Sequence, residues 1–110
     1  MREIEKYVAA MENRDYEGLA ELFTKDGTIS DYCPNGTTQP EYHVYGREAI
    51  NMFFRNKFTF GKCSITEAQV VNDTQAEFVV NYGGYLVMAI ATVRRTDNEG
   101  RIERLTVRPK

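Results

Sequence analysis

The segment Gly27-Thr-Ile-Ser-Asp-Tyr-Cys-Pro-Asn-Gly36 predicts a short strand, Thr28 to Cys33, that ends in a proline–asparagine–glycine turn. Residues two apart in a strand point to the same face, so Asp31 shares its face with Ile29 and Cys33. An apolar face is normally buried, and burying a carboxylate is costly unless it is paired or takes part in chemistry. Asp31 is therefore the first candidate for a functional residue.

Helical spacing of apolar residues is present in three other segments. It predicts helices over residues 2–13, 16–23 and 46–58, with a turn at 25–27 after the second. In the first helix Ile4, Tyr7, Val8 and Met11 share one side, so the Tyr7 side chain is expected to point inward. The third helix carries a stripe of phenylalanines at Phe53, Phe54 and Phe58.

The second half of the chain has the alternation of strands. It predicts a short strand over 42–45 and then an antiparallel meander over 64–71, 75–82, 85–95 and 101–107. The resulting fold class is α+β, with three N-terminal helices packed on a strongly curved, mainly antiparallel sheet.

The strand that begins at Tyr85 is apolar on both faces. One face carries Val87, Ala89, Ala91 and Val93, and the other carries Leu86, Met88 and Ile90. A strand of this kind is covered on both sides. The helices account for one side, so the sequence predicts a homodimer through the outer face with Leu86, Met88 and Ile90.

Composition narrows the class of protein. The 110 residues suit one domain over 1–110, and 42% hydrophobic with 27% charged residues indicates a globular chain. A net charge of -2 without a basic stripe argues against nucleic-acid binding. No apolar run suits a membrane helix or a signal peptide, so a cytoplasmic location is expected. With one histidine and two distant cysteines, no metal site and no cofactor are expected.

Three stretches carry a resemblance to a known superfamily. They are Lys6-Tyr-Val-Ala-Ala-Met-Glu-Asn-Arg-Asp-Tyr-Glu-Gly-Leu-Ala-Glu-Leu-Phe23, Asp26-Gly-Thr-Ile-Ser-Asp31 and Tyr45-Gly-Arg-Glu-Ala-Ile50. In order and spacing they resemble the nuclear transport factor 2-like superfamily, which includes ketosteroid isomerases and polyketide cyclase-like proteins. The resemblance spans nearly the whole chain and implies a cone with an internal pocket.

The resemblance also implies functional residues. In the isomerases, a tyrosine on the first helix and a protonated aspartic acid on a late strand donate hydrogen bonds to an enolate oxygen, while an aspartate on the first strand moves the proton. Tyr7 and Asp31 match the tyrosine and the base, but Ala91 stands where the acid is expected. Loss of one such donor typically slows a reaction by about 10²- to 10³-fold. His43 and Thr92 are the nearest conceivable substitutes, although alternation turns Thr92 away from Ala91.

Each candidate also has a structural interpretation. Asp31 could form hydrogen bonds with the turn that follows it or with backbone amides, or it could pair with a cation such as Arg47. Tyr7 could be a core residue. His43 could be either a solvated side chain or an acid or base at the pocket mouth. The expected pocket residues are Phe53, Phe54, Phe58, Val87, Ala89, Ala91 and Val93.

Two functions remain open. One is an acid–base isomerase or cyclase acting without a metal on a small, largely apolar carbonyl or enol compound, with Asp31 and Tyr7 as its reacting groups. The other is a non-catalytic ligand-binding or dimerisation module of the same fold.

Overall fold

A computed structural model describes residues 2–34 and 41–110, and over these ranges the chain forms three helices and one six-stranded mixed sheet. This is the predicted α+β class. The elements are α1 (Glu3–Glu12), α2 (Tyr16–Glu21), β1 (Phe23–Asp31), β2 (Tyr42–Tyr45), α3 (Arg47–Thr59), β3 (Cys63–Val70), β4 (Gln75–Tyr82), β5 (Leu86–Thr96) and β6 (Ile102–Pro109).

The helices form where the apolar spacing predicts them. Helix α1 buries Ile4, Tyr7, Val8 and Met11 as one side, and α3 buries Ile50, Phe54 and Phe58. Helix α2 is capped by Asp15, whose Oδ1 accepts a hydrogen bond from the Gly18 N–H at 2.9 Å. It ends at Glu21, two residues earlier than predicted, because Phe23 already belongs to β1.

The sheet has the strand order β2-β1-β6-β5-β4-β3. Strands β3 to β6 form the predicted antiparallel meander, and β2 pairs antiparallel with β1. Strand β1 runs parallel to β6, so the first and last strands in chain order lie side by side in the middle of the sheet. This pairing joins the β1–β2 pair to the meander in one sheet.

The predicted turn at residues 25–27 is wrong. These residues lie inside β1, and the β1–β6 register shifts between Phe23 and Thr28, which accommodates the irregular stretch as a bulge. Gly27 sits in this bulge, where an added Cβ would come within 2.9 Å of the Ile102 carbonyl oxygen. The turn predicted over 34–36 and the stretch that follows fall largely on residues 35–40, outside the described residues.

Strand β5 has two apolar faces, as predicted. Val87, Ala89, Ala91 and Val93 are buried toward the helices, whereas the side chains of Leu86 and Met88 on the other face are 63% and 47% exposed. Alternation along the strand therefore separates an inner face that belongs to the core from an outer face. Within the described ranges, no helix is both long and apolar enough to cross a membrane.

Candidate functional site

Asp31 lies at the end of β1 on the inner face of the sheet. Its side chain is 9% exposed. Oδ1 accepts a hydrogen bond from the Cys33 backbone N–H at 2.9 Å, and Oδ2 lies 3.2 Å from the Nζ of Lys57. The cation beside Asp31 is thus Lys57 and not Arg47, whose guanidinium donates two hydrogen bonds to the Phe23 carbonyl instead. The carboxylate is both buried and paired.

Lys57 comes from the last turns of α3 and is only 13% exposed. Its Nζ lies 4.9 Å from the centre of the Phe53 ring and 5.2 Å from that of Tyr82, and it is 3.4 Å from the Tyr82 hydroxyl. Two aromatic faces and a carboxylate together stabilise the ammonium group in a site with little water. The residues around this ammonium bring a charged pair into the interior.

Sequence reasoning missed Lys57, although a signal was present. Lys57 follows Phe53 by four residues and Phe54 by three, which is the spacing of side chains on one helical face. Tyr82 was likewise detectable, because it continues the inward alternation of Phe78 and Val80 along β4.

Tyr7 faces the same region from α1. Its side chain is 1% exposed, and its hydroxyl has no hydrogen-bond partner among residues 2–34 and 41–110. Burial, and secondarily the nearby Asp31 carboxylate, raise the pKa of Tyr7 well above its ordinary value. The same two causes raise the pKa of Tyr82. Both phenols therefore remain protonated donors through the physiological range.

These groups meet at a small inner cavity. Its free volume is about 10 Å³, which is close to the space of a single water molecule. Its lining combines the polar groups already described with apolar side chains, namely Tyr7, Met11, Ile29, Asp31, Phe53, Phe54, Lys57, Phe78, Val80, Tyr82 and Val107. We call this space the inner cavity.

Some of the predicted pocket residues line the inner cavity, and the others lie in the surrounding core. Phe53 and Phe54 line the inner cavity. Phe58, Val87, Ala89, Ala91 and Val93 are buried in the surrounding core and do not reach the cavity, because helix and sheet side chains fill the room beside the two alanines. Ala91, which stands where the resemblance implies the acid, has no hydrogen-bond donor on its side chain.

The two cysteines are free and buried at the edge of this region. Burial, with Asp31 as the next cause, raises the pKa of the Cys33 thiol to about 12, and burial also raises the pKa of Cys63. Both thiols stay protonated and unreactive at neutral pH. No cluster of three or more potential metal ligands occurs in the part of the chain that the structure describes.

His43 lies on the opposite face of the sheet from Asp31. Its Nδ1 is 3.0 Å from the Ser30 hydroxyl and its Nε2 is 3.0 Å from Oε1 of Glu41. Ser30 and Asp31 are consecutive in β1, so their side chains point to different faces. The structure therefore brings Asp31 and Tyr7 together but places His43 apart from them. It borders an open groove of about 750 Å³, which we call the outer cleft.

Comparisons with known proteins agree with this architecture. A crystal structure of a protein from Sphaerobacter thermophilus superposes with a TM-score of 0.69 at 21% identity, covering 98% of this chain and 93% of that one. Among proteins with curated descriptions, none matches the sequence. The family model described as the SnoaL-like domain matches residues 4–107. The chain thus belongs to the SnoaL-like domain family of the nuclear transport factor 2-like superfamily.

Proposed function

We propose that the inner cavity catalyses proton transfer at the carbon beside a carbonyl or enol group of a small, largely apolar compound. The observation that carries this proposal is the buried Asp31–Lys57 pair, which shares the cavity with the Tyr7 hydroxyl, a group that has no hydrogen-bond partner among the described residues. A buried ion pair is weak evidence for stability, and a buried polar group without a partner is uncommon. Both are typical of a site arranged for a bound molecule.

Each side chain has a distinct role in this reaction. Asp31 takes the proton from carbon, because its carboxylate is the acceptor on the cavity wall. Lys57 donates a hydrogen bond to the substrate oxygen as negative charge develops there, and Tyr7 supplies a second donor. Lys57 thus replaces the acid that is missing at Ala91, with a fixed positive charge in place of a neutral carboxyl group.

Substrate size follows from the cavity. A free volume of about 10 Å³ admits no organic molecule without movement of a side chain. Phe53 is half-buried and its ring packs against Tyr42 at 5.5 Å, so it stands between the cavity and solvent. We propose that rotation of Phe53 opens the site and exposes the Lys57 ammonium that the ring covers. The preferred compounds are then small ketones or enols with a compact apolar body.

Exchange of α-protons for deuterium tests the proposal directly. Small cyclic ketones and 1,3-dicarbonyl compounds are followed by NMR in D₂O, and the wild-type protein should exceed the buffer rate. Asp31→Asn should lower that rate by about 10²- to 10⁴-fold, and Tyr7→Phe should lower it less. Lys25→Met, which removes an exposed lysine of β1, is the control and should leave the rate unchanged. Equal rates for wild type and Asp31→Asn would exclude Asp31 as the base.

The second candidate is a non-catalytic module, which the small size of the inner cavity favours. In that case the Asp31–Lys57 pair is purely structural and no carbonyl compound exchanges above the buffer rate. The outer face of β5 is the expected dimerisation surface in either case, since it exposes Leu86 and Met88 side by side on alternate positions.

A further inference from the structure

We propose a second, nucleophilic site on the outer face of the sheet, in which Ser30 attacks activated carboxylic esters, His43 is the base and Glu41 orients the imidazole. The three side chains form a continuous chain of contacts of 3.0 Å each. A nucleophile, a base within hydrogen-bond reach and a third group that orients the base are the signature of covalent catalysis. This site is separate from the inner cavity, because Ser30 and Asp31 point to opposite faces.

The strand pairing creates the nucleophile–base contact. Ser30 in β1 and His43 in β2 are directly opposite in the antiparallel register, so their side chains are cross-strand neighbours on one face. Nδ1 accepts the Ser30 hydroxyl proton when Nε2 carries hydrogen, and that Nε2–H donates to Glu41. The Tyr32 ring meets the imidazole edge-on at 5.6 Å and restricts its rotation.

Within residues 2–34 and 41–110, His43 is the only hydrogen-bond partner of the Ser30 hydroxyl. Thr106 is the neighbour of Ser30 on its other side, in β6, but the Thr106 hydroxyl accepts a hydrogen bond from Nε of Arg94 at 3.1 Å. Ser30 is itself buried, so little water competes for the contact with His43. The His43 side chain is more open, at 39% exposed, and can exchange protons with solvent.

The outer cleft provides space for a substrate and one guanidinium near Ser30, in a lining that also contains Asp26, Asp97 and an Arg95–Glu103 ion pair. Its volume of about 750 Å³ holds a small ester, and Ser30, His43 and Arg104 all line it. Arg104 lies opposite Thr28 in the β1–β6 register, two positions from Ser30 on the same face, and has no hydrogen bond or ion pair within the described ranges. Its guanidinium can stabilise an oxyanion that forms near Ser30.

The position of Ser30 also limits the substrate class. Strand β1 lies between two hydrogen-bonded neighbours, so its backbone amides are committed to the sheet and do not form an oxyanion hole. An exposed guanidinium is a weaker substitute, and the loss of an oxyanion-hole donor typically slows acyl transfer by about 10²- to 10³-fold. The site is therefore suited to esters with a good leaving group, such as aryl esters.

The reaction proceeds in two balanced steps. The Ser30 oxygen forms a bond to the acyl carbon while its proton passes to Nδ1 of His43, and the bond to the leaving oxygen breaks as that oxygen receives the proton. Water then attacks the acyl-Ser30 ester and gives its proton to His43. Release of the carboxylic acid returns the proton to the Ser30 hydroxyl.

Two reagents test the site on the intact protein. p-Nitrophenyl acetate should give a burst of p-nitrophenolate, and an alkyl fluorophosphonate should add one phosphonyl group at Ser30 with loss of fluoride, located by peptide mass spectrometry. Ser30→Ala should abolish both signals. His43→Gln changes an exposed side chain, so we expect the protein to fold, and it should slow labelling by about 100-fold or more. Glu41→Gln should slow it less, because Glu41 only orients the base.

The matched control is Ser64→Ala, since Ser64 is a half-buried serine of β3 opposite an asparagine instead of a histidine. It should label and burst like the wild type. Absence of the phosphonyl group from Ser30 in the wild-type protein would overturn the proposal. So would an unchanged labelling rate in His43→Gln, which remains decisive even if Ser30→Ala does not fold.

Discussion

Lys57→Met should destabilise the protein strongly, because it leaves the Asp31 carboxylate buried without its cation. The two side chains are 13% and 9% exposed and 3.2 Å apart. At that separation the attraction is about 5 kcal/mol for an effective dielectric constant of about 20. Removal of one partner from a buried pair typically costs about 3 to 5 kcal/mol. We expect a loss in that range, a large fraction of the roughly 5 to 15 kcal/mol that stabilises an ordinary domain.

The double variant Asp31→Asn/Lys57→Met separates this explanation from a general loss of packing. It removes the unpaired charge, so it should recover at least about 2 kcal/mol relative to Lys57→Met alone. Urea unfolding followed by circular dichroism at pH 7 measures the free energy of unfolding of each protein. Lys25→Met, at an exposed position, should stay within about 0.5 kcal/mol of the wild type.

A small loss of stability would contradict this prediction. If Lys57→Met loses less than about 1 kcal/mol and the double variant is no more stable than the single one, Asp31 does not depend on Lys57. The pair would then behave like an exposed ion pair, and the inner cavity would have to be open to water.

Three further predictions concern other parts of the molecule. The pKa values of Tyr7 and Tyr82 are raised in the folded state, so folding favours the protonated phenols. The free energy of unfolding should therefore stay constant below the usual tyrosine pKa of 10.0 and fall as the pH rises above it. Absorbance at 295 nm should show that both phenols ionise only when the protein unfolds. Gly27→Ala should lose about 1 to 3 kcal/mol in urea unfolding, because the new Cβ would press on a backbone carbonyl of β6; an unchanged midpoint would disprove that contact. Sedimentation at micromolar concentration should show a dimer. Leu86→Lys should dissociate this dimer, whereas Met52→Lys, at a similarly exposed position on α3, should leave it intact. A wild-type monomer near 12.7 kDa would contradict the prediction.

Much of the fold could be predicted because its signals are local. The helical spacing in α1 and the two apolar faces of β5 depend on residues close in sequence, and each was placed correctly. The parallel pairing of β1 with β6 joins segments about 80 residues apart, and no pattern within either segment predicts this pairing. The same pairing shifts the register near Gly27, which is why a residue typical of turns lies inside a strand.

The site was only partly predictable for a related reason. Alternation and helical spacing indicated which faces Asp31 and Tyr7 occupy, since both rules act within one element. The partner of Asp31 lies on another element, so its identity depends on how α3 crosses the sheet. Arg47 was one cation that could have paired with Asp31, but the helix directs Arg47 to the Phe23 carbonyl and brings Lys57 to the carboxylate.

The central position of β6 has a consequence for the order of folding. Without residues 102–109 the sheet separates into the β1–β2 pair and the β3–β5 meander, joined only through the helices. Neither part has the paired edges of the complete sheet, and an unpaired edge is prone to association with other chains. The meander depends on local contacts, whereas β1 needs the distant β6 as its partner, so we expect the β1–β6 junction to form later than the meander. Because Val107 of β6 lines the inner cavity, we expect the wall around the Asp31–Lys57 pair to be incomplete until β6 has joined the sheet.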